Sequence, residues 1–270
     1  MLSLLATLTL VSSYLGTLLS QTLTFAAADF GASKSAQGVL LAAARLGIVA
    51  TLVATTAADR VGRSRLLRST MLFACVAMGA VTFAPALLWF GVGQTVGRGL
   101  TTAADVIIII LAVEEMPTRC RAWATAVLAL IGGLGSGMVV WLLPLADLGS
   151  AAWRAIYVPP RLFLPLVWWA GRQLPESRRF LLAAGEEEAT GPGATGGGPT
   201  RTAERTRPRF DAADRRRLAL LAVAAFLVLV FAAPASQFQN EFLRDERVFS
   251  AARITVFTLC LLYTSPSPRD

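Results

Sequence analysis

Apolar residues along this chain come in long unbroken blocks rather than in the short alternations of a soluble domain. The blocks run from Leu2 to Phe25, Gln37 to Ala58, Leu67 to Ala84 and Leu87 to Val113, then from Ala122 to Leu145, Ala152 to Leu174 and Leu218 to Ser236. An eighth begins near Ser250 and stops short. Crossing the hydrocarbon core of a bilayer takes about 20 helical residues. Lipid offers no partner for an open backbone N–H or C=O, so each block is predicted to be a helix. The pattern predicts an all-α, multi-pass membrane protein.

Composition agrees with that reading. Of the 270 residues, 55% are hydrophobic and only 16% are charged, against about a quarter charged in an ordinary soluble domain. Mean hydropathy is +0.59. A formal net charge of +8 raises the question of a nucleic-acid partner, and the placement of the arginines answers it. Arg60, Arg63, Arg65 and Arg68 follow the second block, Arg119 and Arg121 the fourth, and Arg178 onward the sixth. No basic patch is interleaved with aromatic residues, so nucleic acid is not an expected partner. Basic loops stay on the cytoplasmic side. The N-terminus and the even-numbered loops are therefore predicted to be cytoplasmic, with the chain in the plasma (inner) membrane. The first and fifth loops hold a single acid each, Asp29 and Asp147, with few basic residues.

Between Gly185 and Arg217 the chain turns to Gly, Pro, Thr and charge, a composition that cannot fill a core and reads as a flexible tether. Met1 abuts the first block with no basic leader and no small-residue cleavage site, so no cleaved signal peptide is expected; a start upstream of Met1 is the alternative. The last residues, CLLYTSPSPRD, begin inside an unfinished block and end polar and Pro-rich. They correspond to one reading frame of a sequencing-library transposase adapter. Residues 260–270 are accordingly expected to lie outside the natural protein, and the chain to be a C-terminally truncated fragment. The natural reading frame is expected to continue in apolar residues past Leu259.

Three loops carry a family resemblance. TTAADRVGRSRLL, after the second block, resembles the loop G-x-L-a-D-r-x-G-r-k-x-x-l of the major facilitator superfamily, with Asp59, Arg60, Gly62, Arg63 and Leu67 on matching positions. Thr55 replaces the first glycine and Ser64 the basic residue. VEEMPTRCRAW resembles the pattern E-x-x-P-x-x-x-R-G through Glu114, Pro117 and Arg121, with Ala122 in place of glycine. LPESRRFL resembles the P-E-S-P-R-w-L of the sugar-porter branch through Pro175, Glu176, Ser177, Arg179 and Leu181. WRAIY, at Trp153, sits where many members begin the sixth helix. The three motifs occur in order, one per even loop.

The resemblance implies the major facilitator fold. An N-terminal six-helix bundle would occupy residues 1–174 and an inter-bundle cytoplasmic loop residues 175–217. The first helix and part of the second helix of a C-terminal bundle would occupy residues 218–259. It implies two bundles rocking around a midplane site. Asp59, Arg63, Glu114, Arg121, Glu176 and Arg179 would form a cytoplasmic charge network, pairing in the outward-facing state and parting in the other. Gly62 permits the tight turn. Single surface ion pairs contribute little, so gating would come from the network. A structural role for the arginines, snorkelling to the membrane surface, is the alternative.

Asp105 lies nine residues before Glu114, about 14 Å along a helix. An acid near the midplane costs roughly 2.5–3.5 kcal/mol on insertion scales. Arg98, Thr102 and Asp105 are spaced to share one helix face, and Arg45 falls in the second block. One reading has Asp105 bind a proton or a cationic group while Arg98 or Arg45 contacts an anionic substrate. The other is a fixed Arg–Asp pair that only locks helices.

In the first block, Thr9, Ser13, Gly16 and Ser20 recur at helical spacing with Thr17 and Gln21 beside them. That stripe suits a water-filled cavity that reads sugars, or merely close helix packing. GGLGSG, Gly132 to Gly137, has no strand before it and no lysine after it, so it is not a nucleotide loop. Gly133 and Gly137 are spaced for G-x-x-x-G packing. The glycine–proline pair of drug–proton antiporters is missing from this fifth block.

Catalysis finds no support. Histidine is absent, and no nucleophile–base pair, metal cluster or cofactor loop appears, so no cofactor or metal is expected. The expected activity is secondary active transport, as proton-coupled symport of a sugar or small organic metabolite, by a monomer in the lipid bilayer. The alternatives are a drug–proton antiporter of the same superfamily and a non-transporting multispan receptor or scaffold. As a fragment, the written chain would not itself transport.

Overall fold

The computed structural model describes residues 1–47, 49, 51–53, 56, 62–175 and 212–263. Every regular element among them is helical: α1 (Leu2–Asp29), α2 (Lys34–Arg45), α3 (Arg63–Ala80), α4 (Leu87–Glu115), α5 (Arg121–Leu142), α6 (Pro159–Gln173), α7 (Ala212–Glu241) and α8 (Ala251–Tyr263). Among the described residues, four stretches are long and apolar enough to cross a membrane: Leu2–Asp29, Arg63–Phe83, Leu87–Glu115 and Arg121–Leu148. At 1.5 Å per residue, α1 is about 42 Å long, more than the hydrocarbon core needs.

α1 is the hub. It packs on α4, α5 and α6, while α3 packs on α4 and α6, and α2 lies against α4. Leu5, Leu8, Val11, Leu15, Leu18 and Leu19 are buried at three- and four-residue spacing, the stripe a helix presents to a core. Outward, Phe73, Val76, Leu88, Val92, Trp123, Leu130 and Trp141 are exposed. Apolar residues facing out on apolar helices are what a lipid solvent accommodates.

The predicted blocks survive with altered ends. The second, expected over Gln37–Ala58, starts earlier and runs as α2 over Lys34–Arg45. There the ladder tightens, with Leu46 N–H on the Ala43 carbonyl and Val49 N–H on the Leu46 carbonyl, both i to i−3. Beyond the break, positions 47, 49, 51–53 and 56 are again helical. The sixth, expected to be continuous over Ala152–Leu174, is a 3-10 helix over Ala152–Tyr157 followed by α6. Pro159 and Pro160 supply no N–H to a ladder but suit the first turn of a helix, so α6 restarts there. The fifth hands over to a 3-10 helix at Leu143–Leu148, which contains Pro144. The inter-bundle loop, expected to reach Arg217, gives way to α7 at Ala212. Residues 176–211 and 264–270 lie outside the described residues, and with them most of that loop and most of the proposed adapter tail.

Candidate functional site

The bundle has two ends, one rich in arginine and one around Asp29, with a cavity between. At the arginine-rich end, Gly62 precedes α3 with φ +103° and ψ 134°. That backbone is open to glycine alone, which accounts for the glycine in the motif. Arg63, the first residue of α3, forms an ion pair with Glu114 at the end of α4. Neither side chain is more than 20% exposed. Each charge sits at the wrong pole of its own helix, a cation at an N-terminus and an anion at a C-terminus, and the pair offsets both.

Arg121, expected in the same network, instead donates from Nε to the Met116 carbonyl at 3.1 Å. It thereby covers an orphan carbonyl at the end of α4. Pro117 opens a 3-10 turn over Thr118–Cys120. Asp59, Arg60, Glu176 and Arg179 lie outside the described residues. Ser64, the residue that departs from the motif's basic position, donates Oγ–H to the Pro175 carbonyl at 2.7 Å. It thus ties the start of α3 to the chain leaving α6. A short hydroxyl beside a helix start was visible in the sequence, but its partner is 111 residues away.

The Asp29 end carries its own network. Trp153 donates Nε1–H to Asp29 at 3.2 Å, and Arg154 lies 3.5 Å from the same carboxylate. Arg154 also stacks 5.4 Å from the Trp153 ring. Below them Trp153, Phe90 and Tyr157 pack edge to face with centroids 5.5–6.2 Å apart. The Tyr157 hydroxyl is 2.7 Å from that of Thr22 and accepts from Gln94. Within WRAIY, Trp153, Ile156 and Tyr157 are buried, and the segment forms a 3-10 turn that leads into α6.

α7 and α8 meet the bundle at this same end. Asn240 donates to the Gln21 side chain at 2.7 Å. Lys34 lies 3.1 Å from Asp245 and 3.6 Å from Glu241, and Asp147 accepts from the N–H groups of Ala251 and Ala252 at the start of α8. The other half of α7 is exposed from Asp214 to Val228. Arg63 and Glu114 are thus paired in a structure where α7 and α8 contact the Asp29 end.

Of the candidate substrate residues, Arg45 and Arg98 come together. Each lies eleven residues past the first residue of its helix, about 16 Å in from the Asp29 end. Gly47 lets the chain approach α4 so closely that a Cβ there would sit 2.9 Å from the Thr95 carbonyl oxygen and 3.0 Å from the Gly99 nitrogen. Thr51 Oγ1 donates to the Gly99 carbonyl at 3.3 Å. Arg45 and Arg98 both line one cavity of about 580 Å³. Asp105 is not there. Its carboxylate lies near Ser12 of α1, whose hydroxyl donates to the Thr101 carbonyl at 3.4 Å, and among the described residues no ion pair joins it to Arg98. The expected fixed Arg–Asp lock does not form.

In α1, Thr17 donates to the Ser136 hydroxyl at 2.9 Å and Gln21 meets Asn240, so part of the polar stripe is used between helices. A Cβ on Gly16 would meet nothing within 4 Å. The expected G-x-x-x-G pair is also revised. Gly133 and Gly137 face open space, whereas Gly132 and Gly135 lie against Ser13 and the Leu10 carbonyl of α1.

Two solved structures share this architecture. The inward-open conformation of the xylose transporter XylE from E. coli matches with a TM-score of 0.60 and 15% identity, over 69% of this chain and 50% of that one. Its partially occluded inward-open conformation matches with a TM-score of 0.62 and 17% identity over the same shares. No protein-family profile and no curated protein matches the sequence. The chain therefore has the all-α major facilitator fold of an integral membrane protein, and it spans about half the length of the solved transporters it matches.

Proposed function

We propose that this chain is the N-terminal half, with the first helices of the second half, of a secondary active transporter. It moves a sugar or small organic metabolite by alternating access, in symport with protons. One observation carries the reading: a mid-membrane cavity lined by Arg45 and Arg98, with Phe238 of α7 completing its wall. Charged side chains at that depth are costly unless they serve a permeating solute. The cavity lies where first-bundle helices face the second bundle, which is where a rocking mechanism needs its site. The named activity of the structural neighbours agrees with it.

Asp105 is assigned the coupling proton. It lies on α4 two turns beyond Arg98 toward the arginine-rich end, near Ser12 of α1. The arginine-rich end faces the cytoplasm. Arg63 and Glu114 clamp α3 to α4 there, so that the bundle moves as one body. The test is solute uptake by the full-length protein in vesicles with an imposed pH gradient. Asp105→Asn is expected to abolish pH-driven uptake and leave exchange that does not depend on pH. Normal pH-driven uptake by that variant would remove Asp105 from the coupling role.

A further inference from the structure

We infer that the cavity between α2 and α4 binds a small amphipathic organic acid, its carboxylate bridged by Arg45 and Arg98. The inference rests on the transporter reading and narrows its substrate class. The two guanidinium groups repel one another across the cavity, and among the described residues neither has an acidic partner. Arg45 is exposed and Arg98 half-buried at the wall of one cavity, and two like charges lining one cavity favour an anion that joins them. The acid nearest along α4, Asp105, is seven residues from Arg98 and forms no ion pair with it among the described residues. The arginine fork matches a carboxylate in two parallel hydrogen bonds, a geometry lysine does not offer.

The rest of the lining points away from a polyol. A neutral sugar is read by many hydroxyl and amide groups, and among the described residues Thr102 is the one uncharged polar side chain on the wall. Leu19, Leu41 and Phe238 supply an apolar surface. That combination suits a molecule with one charged end and an apolar body. The volume of about 580 Å³ lies in the ordinary range for small-molecule sites.

The test is equilibrium binding to the purified full chain in lipid nanodiscs, using radiolabelled benzoate. Competitors are inorganic phosphate and D-xylose. Benzoate is expected to bind and xylose not to displace it. Arg45→Gln and Arg98→Gln should each weaken binding by roughly tenfold or more, and Arg98→Lys by less. Phosphate displacing benzoate with higher affinity would overturn the carboxylate assignment. Absence of benzoate binding to the unmodified protein would overturn the whole inference, and so would unchanged affinity in both glutamine variants that elute and melt like the parent. If xylose is bound and carried while benzoate is not, the transporter reading stands and the acid site falls. If benzoate binds as expected but the full-length protein moves no solute, the site stands and the transporter reading falls.

Discussion

Arg63 at the first position of α3 and Glu114 at the end of α4 form an ion pair although each opposes the dipole of its own helix. Exchanging the two charges would place each at its favoured pole. An arrangement that is not best for either helix alone, yet is closed in the folded protein, is a reason to look for a role beyond stability. Breaking it with Glu114→Gln removes one carboxylate from a guanidinium that is only 20% exposed. The expected loss is about 1–3 kcal/mol, read as a lower melting temperature. The reversed pair Arg63→Glu with Glu114→Arg should recover that stability. If the role is gating, the reversed pair should nonetheless transport poorly in the full-length protein.

The contact between α1 and α5 depends on which glycines face inward. Gly135→Ala would drive a Cβ into the Leu10 carbonyl and is expected to destabilise by about 1–3 kcal/mol, as overpacking does. Gly133→Ala meets open space and should be neutral or stabilising by up to about 1 kcal/mol, since alanine is the better helix former. Thermal unfolding in detergent reads both. Equal effects from the two would show that α5 is rotated from the position described.

These glycines also show where the sequence stops being legible. Helix number, order and approximate ends follow from block length, because lipid forces helix on every apolar run. The rotation of a helix does not follow. Lipid and core are both apolar, so Gly132 and Gly135 look no different from Gly133 and Gly137 until α1 is in place. Breaks were legible in principle where Pro159 and Pro160 stand together. The tightening at Leu46 has no such mark, since it accompanies the approach of Gly47 to α4. The pairing of Arg63 with Glu114 follows from their shared loop side. The bonds from Ser64 to Pro175 and from Tyr157 to Thr22 join residues more than a hundred positions apart, which no local pattern predicts. Arg45 and Arg98 could be picked out as costly charges, but their meeting in one cavity required the fold.

Lys34 holds the Asp29 end of the bundle to α7. Its ammonium is pushed above the ordinary value of 10.5, first by the hydrogen bond and charge of Asp245 and then by Glu241. A raised folded value means that the contact contributes fully below pH 10.5 and is lost as pH rises through the higher folded value. Spin labels at Ser35→Cys and Arg247→Cys, both exposed positions, are expected to give a narrow distance distribution at neutral pH. The distribution should broaden in Lys34→Gln and at strongly alkaline pH. A distribution that ignores both changes would remove Lys34 from the contact.

The sidedness of the two ends tests the central claim most directly. The measurement is labelling with a membrane-impermeant maleimide in right-side-out and inside-out vesicles. Cys120, exposed beside the Arg63–Glu114 pair, and a cysteine introduced by Asp147→Cys in a background lacking Cys120 and Cys260 are the two probes. The account predicts that Cys120 reacts only in inside-out vesicles and the Asp147→Cys probe only in right-side-out vesicles. Reaction of both probes from the same side would contradict it.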